Sequence, residues 1–379
     1  MLAAFLDNVD LVLMTIGALV GVAASLLGAF LVLRGSSLYS DAISHSILLG
    51  IVVVYLISGD VHSPYQVVGA ALAGLATVYL SELLGASRRV KQDAAMGLVF
   101  PALFALAVLL INLFARDVHL DEHAVLLGEL AFAWLDVVTI GPYDVPRSLI
   151  TMGVITLVNA LFVTLFFKEL KLAVFDPGLA EALGLRPRLL FYVLLFLTSV
   201  TAVGAFDAVG AILFIAFVIV PPAAAYLLTD RLWAVVAGGA FLAVAASIAG
   251  YHAAMWLDVS IGGMMATVCG LSLVAAFLAS PRYGLVARLV RHRRQRAEAQ
   301  ILLLLVHLYN HEQETTAAQE SDLAALQHHL RWPARLGRAV VARAQQQGLL
   351  TVGPDGQRLH LTDKGRDAAR QVLEPWRRG

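Results

Sequence analysis

Leu11 to Leu33 reads LVLMTIGALVGVAASLLGAFLVL and contains neither a charged side chain nor a proline. A run of that length matches the roughly 20 apolar residues an α-helix needs to cross a hydrocarbon core. Working outward from it, further spans are predicted at about 41–58, 64–84, 95–114, 148–167, 188–206, 208–228, 232–257 and 261–280. All must be helical, because lipid offers no partner to an open backbone group. Composition agrees. Of 379 residues, 59% are hydrophobic and 14% charged, against roughly 25% charged in soluble proteins. Such a chain lacks the polar surface a soluble or disordered protein needs. A single cysteine, Cys269, excludes a disulfide scaffold, a thiolate zinc knuckle and an iron–sulfur protein.

The net charge of zero averages two unlike parts. Residues 1–280 carry 11 Lys+Arg and 18 Asp+Glu, and residues 281–379 carry 16 and 9, making up the 27 of each sign. The expected organisation is an all-α polytopic membrane domain over 1–280, a basic juxtamembrane linker over 281–296 and a hydrophilic domain over 297–379. Leu2 to Asp10 has no basic stretch and carries two acids, so no cleavable signal is expected. One set of connections between spans holds Arg34, Arg88, Arg89, Lys91, Lys168, Lys171, Arg186, Arg188 and Arg231; the other holds Arg116 and Arg147. The first set is therefore expected on the cytoplasmic side together with the hydrophilic domain, and an odd span count puts the N-terminus outside. The apolar stretch Leu126 to Val138 is too short to span and reads as re-entrant or interfacial.

Ionisable groups inside a membrane cost about 2.5 kcal/mol or more, so each is a functional candidate. Asp41 and His45 open the second span four residues apart, hence on one helical face. A carboxylate oxygen and an imidazole nitrogen there suit zinc, manganese or ferrous iron. The alternative is an Asp–His hydrogen bond locking two helices. Glu82, Asp207, His252 and Asp258 are further candidate ligands, each with a structural explanation: three sit near span ends or turns, and His252 reads as a helix-contact histidine. On the external side, Asp60, His62, Asp117, His119, Asp121, Glu122 and His123 would raise the local cation concentration.

Between the fifth and sixth spans, Asp176 suits a helix N-cap with Pro177 in the first turn, and Gly184 suits the helix end. One short helix is predicted there, with an apolar face of Leu179, Ala182 and Leu183. It reads as a docking knob for a cytoplasmic partner, or as a surface helix on the headgroups.

Phe30–Arg34 with Ser37–His45, Lys91–Phe100, Phe175–Pro177 with Ala180 and Gly184, and Val209–Leu213 running to Pro221–Ala225 together resemble the permease subunit of the zinc/manganese/iron ABC importer family, in order and spacing across 1–280. The resemblance implies two permeases, identical or paralogous, on two ATPase subunits in a bacterial inner membrane, fed by an extracytoplasmic metal-binding protein. It implies that Asp41 and His45 contact the metal in transit, and that the Asp176–Leu185 helix, with Pro177, Leu179, Ala180, Leu183 and Gly184, fits a groove on the ATPase. No Walker A motif is present, so the chain is expected to be a transport subunit with hydrolysis on a separate one. The metal is cargo, with no cofactor bound permanently.

Arg288, Arg291, Arg293, Arg294 and Arg296 follow the last span and suit an anchor to anionic lipid. Beyond them, helices are predicted at 301–309, 320–330 and 335–347, then a hairpin turning at 353–356 and a last helix from 362. This order resembles a winged-helix domain of the kind found in metal-responsive repressors. Its third helix carries Arg335, Arg338 and Arg343, yet residues 297–379 hold 10 basic and 9 acidic groups, too even for DNA to be an expected partner. His307, His311, Glu312 and Glu314 could sense metal, and His328 and His329 would point apart. Competing functions are a permease for a metal chelate such as a siderophore, a membrane-tethered metal-responsive transcription regulator, and a proton- or sodium-coupled carrier.

Overall fold

A computed structural model describes residues 5–60, 65–87, 89–114, 130–312, 330–353 and 358–377. The chain divides into two compact units, Met1–Gly284 and Leu285–Gly379.

In the first unit, α1 is Val9–Leu33, α2 Leu38–Ser58, α3 Tyr65–Ala86 and α4 Gln92–Phe114. The strands β1 (Val137–Ile140) and β2 (Tyr143–Pro146) precede α5 (Arg147–Leu165), α6 (Phe167–Phe175) and α7 (Pro177–Ala182). Then come α8 (Pro187–Leu228), α9 (Leu232–Leu257) and α10 (Ile261–Ala279). Among the described residues, nine helical segments are long and apolar enough to cross a membrane, two of them the halves Pro187–Phe206 and Ala208–Leu228 of α8. The protein is a multi-pass membrane protein.

No hydrophobic drive brings helices together in lipid, so close contact rests on small residues and buried polar pairs. At Gly28 in α1, a Cβ would fall 1.9 Å from the carbonyl oxygen of Val218 in α8. Only glycine lets those two backbones meet. Asn159 of α5 donates to Thr201 Oγ1 of α8 at 2.8 Å and to the Ala23 carbonyl of α1 at 3.3 Å. Tyr251 of α9 donates to Asp10 of α1 at 2.6 Å. Helix α1, buried along most of its middle, packs against α5, α8 and α9.

Three expectations change. The two spans expected at 188–206 and 208–228 are joined without a loop, at Gly210, whose φ of 77° and ψ of 169° break the helix. Ala205, Phe206, Ala208, Val209 and Ala211 are all buried, so this junction lies inside the bundle. The described part of Leu126 to Val138, expected to be re-entrant or interfacial, holds no helix of spanning length. It is a short 3-10 turn, Leu130–Phe132, followed by the β1–β2 hairpin with Ile140 opposite Tyr143. Gly141 makes the reversal at φ 61°. Finally, α2 begins three residues before the expected 41, because Ser40 donates back to the Ser37 carbonyl at 2.7 Å and is fully buried with Tyr39. That sets Asp41 and His45 inside a helix that already has a turn behind it.

The second unit opens with α11 (Leu285–His311), followed by α12 (Ala334–Gln346), β3 (Leu350–Val352), β4 (Leu359–Leu361) and α13 (Asp363–Arg377). The stretch expected as a linker, 281–296, is helical from Leu285 onward. After Gly284 it holds no glycine or proline, and Arg294 and Glu298 pair one turn apart at 2.9 Å. Ile301, Leu304, Leu305 and Leu308 of α11 bury against Val340, Val341 and Ala344 of α12 and Leu350, Leu359 and Leu361 of the strands. Strands β3 and β4 pair antiparallel, Leu350 opposite Leu361. The expected helix at 320–330 lies outside the described residues except for Leu330, and so do Glu314, His328 and His329. The fold is thus mostly helical, with two small two-stranded sheets among the described residues.

Candidate metal centre

Asp41 and His45 project from the first turns of α2, with His45 Nε2 3.4 Å from Asp41 Oδ1. Their side chains are 36% and 31% exposed, neither sealed in the core nor fully open. The imidazole stacks on Phe100 of α4, ring centroids 5.6 Å apart and 18° from parallel, with Phe104 edge-on at 6.0 Å. Helices α2 and α4 start at the same end and run in the same direction. Two aromatic rings thus fix the imidazole plane while leaving its nitrogen directed at the carboxylate. Among the described residues, no third His, Cys, Asp or Glu joins the pair.

The other sequence candidates lie apart. Glu82 of α3 accepts a hydrogen bond from Tyr192 of α8 at 2.5 Å. His252 is exposed on α9, edge-on to Tyr251 at 5.8 Å, so it is not the helix-contact histidine expected. Asp258 ends α9 in the left-handed conformation at φ 55°, and Asp60 follows the end of α2, exposed. Asp207 stands between the two halves of α8. His62, Asp117, His119, Asp121, Glu122 and His123 lie outside the described residues.

Sequence reasoning passed over a polar chamber one turn from the pair, at the end of the bundle that carries Arg34 and Arg188. The cavity measures about 960 Å³, and its walls include Arg34, Tyr39, Glu82, Gln92, Met96 and Tyr192. Arg34 caps the C-terminus of α1 with its guanidinium 3.7 Å from the centre of the Phe191 ring. Burial pulls the Arg34 pKa below its ordinary value, and the Glu82 carboxylate opposes that shift. Gln92 donates to the Tyr39 hydroxyl at 2.8 Å. A charged residue ending an apolar run was the only signal available for Arg34, and none existed for Tyr192.

At the same end, the short helix expected after Asp176 is α7, and a further helix, α6, precedes it, the two separated at Asp176 (φ −147°, ψ 80°). Its carboxylate accepts from the Leu179 amide at 2.9 Å, and Pro177 occupies the first turn. Gly184 closes the element at φ 79°. Ala180 is buried, while Leu179 and Leu183 are 47% and 65% exposed, an apolar face left open among the described residues.

A helical bundle with an acid–imidazole pair on a re-entering helix start and an exposed short helix between spans defines a membrane transport subunit. The chain belongs to the ABC 3 transport family, whose model matches residues 8–280. It is similar to the zinc transport system membrane protein TroD of Treponema pallidum, 44% identical over 359 residues, covering 95% of this chain and 97% of that one. The similarity to the manganese transport system membrane protein MntD of Bacillus subtilis is 43% over 276 residues, covering 73% and 93%. Among solved structures, PsaBC from Streptococcus pneumoniae in complex with Fab matches with a TM-score of 0.62 at 25% identity, covering 77% of this chain and all of that one. The TroD match extends into the second unit.

Proposed function

We propose that the chain is the membrane permease subunit of an ATP-driven importer for a divalent transition metal, zinc, manganese or iron, and is not itself an enzyme. The single observation that carries the cargo assignment is the Asp41–His45 pair at 3.4 Å on one face of α2. A carboxylate and a neutral imidazole supply two borderline ligands to a first-row divalent ion. Two are too few to trap it, so water or the equivalent pair of a second permease copy completes the shell. Weak, incomplete coordination is what a conduit requires, since the ion must enter and also leave. The names of the relatives, zinc for TroD and manganese for MntD, favour this cargo over a bulky chelate.

The remaining parts follow from that role. The end of the bundle bearing Arg34, Lys91, Lys168, Lys171 and Arg188 is the cytoplasmic end of a bacterial inner-membrane protein. The exposed Leu179 and Leu183 of α7 seat on a separate ATPase subunit, with Asp176, Pro177, Ala180 and Gly184 holding the helix in shape. An extracytoplasmic metal-binding protein delivers the ion to the opposite end. A second permease, identical or paralogous, completes the pathway. Residues 1–280 form the permease, the arginines of 281–296 face anionic lipid, and 297–379 form a cytoplasmic winged-helix-like module with a regulatory or docking role.

The test is His45→Ala in membranes holding permease, ATPase and delivery protein. Metal uptake should fall to background while insertion and ATPase co-purification persist. Uptake at the normal rate would remove His45 from the pathway.

A further inference from the structure

The chamber beside the metal pair holds a fixed positive charge seated on an element that leads directly to α7. Arg34 lies with its guanidinium 3.7 Å above Phe191, and Phe191 is itself buried and meets Tyr39 edge-on at 5.7 Å. Tyr39 precedes Asp41 on α2 by two residues, and Met96, which lines the chamber, precedes the Phe100 that stacks on His45 by one turn. The chamber thus lies two residues from Asp41 along α2 and one turn from the stacking ring along α4, towards the basic end. The Tyr192 hydroxyl holds Glu82 on the opposite wall at 2.5 Å.

We propose that Arg34 is an electrostatic gate on the cytoplasmic side of the metal pathway, closed while its guanidinium rests on Phe191 and withdrawn when α7 moves. The inference rests on the reading of the chain as a metal permease. Its physical basis is simple. A divalent cation passing a partly buried guanidinium meets a repulsion that low local polarity strengthens. Arginine keeps its charge when partly buried, so the chamber does not disarm the gate. Phe191 stands in the first two turns of α8, and only Leu183 to Arg186 separate α8 from α7. The connection is only four residues long, so displacement of α7 is passed to the start of α8 and to the ring under Arg34. Glu82 and Asp93 in the chamber lining carry the opposite sign and partly offset the barrier, while Arg188 adds to it.

The test uses the complete complex in proteoliposomes loaded with Mn²⁺, reading ATP-driven transport and ATP-independent leak separately. Arg34→Gln should raise the leak about tenfold or more and lower the number of ions moved per ATP hydrolysed. Arg34→Lys, which keeps the charge, should leak close to the unmodified protein. Glu82→Gln removes one offsetting charge yet keeps an acceptor for Tyr192, so its leak should stay equal or fall. A leak that does not rise in Arg34→Gln overturns the gate, and a leak that rises alike in all three variants overturns its electrostatic character. Absence of ATP-driven transport in the unmodified complex would instead overturn the permease reading, a separate outcome.

Discussion

Asn159 reaches Thr201 at 2.8 Å and the Ala23 carbonyl at 3.3 Å, so one buried amide joins α5, α8 and α1. Hydrogen bonds between helices in lipid contribute about 0.6 kcal/mol each and up to about 1.7. Asn159→Leu should lower stability by about 1–2 kcal/mol on that scale, read as a drop in the denaturation midpoint in detergent. In a double-mutant cycle with Thr201→Val, the two effects should be clearly less than additive; full additivity would mean the bond contributes nothing.

The contact at Gly28 predicts a sharper result. A Cβ 1.9 Å from the Val218 carbonyl oxygen leaves the backbone no way to yield without parting α1 from α8. Gly28→Ala should abolish a monodisperse, folded permease. Gly97→Ala in α4, where a Cβ meets nothing within 4 Å, should be silent and gain slightly from helix propensity. Size-exclusion profiles of the two variants decide it.

Ligand chemistry at the metal pair predicts a change of preference as well as of rate. His45→Asp exchanges a borderline nitrogen ligand for a hard oxygen, next to Asp41 at the same helical face. Competition uptake should then shift towards manganese relative to zinc. An unchanged ratio, with uptake retained, would place discrimination elsewhere.

On α7, exposure separates folding from partnership. Leu183→Asp alters a side chain 65% exposed and should leave the melting midpoint within about 0.5 kcal/mol of the parent, while co-purification of the ATPase is lost. Asp176→Ala removes the cap that accepts from the Leu179 amide and should weaken the helix by about 1 kcal/mol, with partial loss of coupling. Binding of the ATPase by Leu183→Asp at full strength would move the docking surface away from this helix.

Much of the architecture is legible along the chain, because hydropathy, capping and charge bias are properties of contiguous residues. The apolar runs yield the membrane helices to within a few residues, and Asp176, Pro177 and Gly184 mark a helix by their own backbone preferences. Asp41 and His45 are recognisable because four residues return to the same helical face at any depth. What the chain order could not reveal are relations across long separations. Gln92 meets Tyr39 across 53 positions and Tyr192 meets Glu82 across 110, and nothing local in either residue announces its partner. The buried kink at Gly210 likewise depends on the neighbours packed around it. Sequence by itself therefore determined which segments enter the membrane and which helix carries the acid and imidazole. The packing of α1, α2, α3, α4 and α8 decided that a seated arginine and a chamber stand beside them, since only the meeting of helix faces can bring distant charges together in a medium without water.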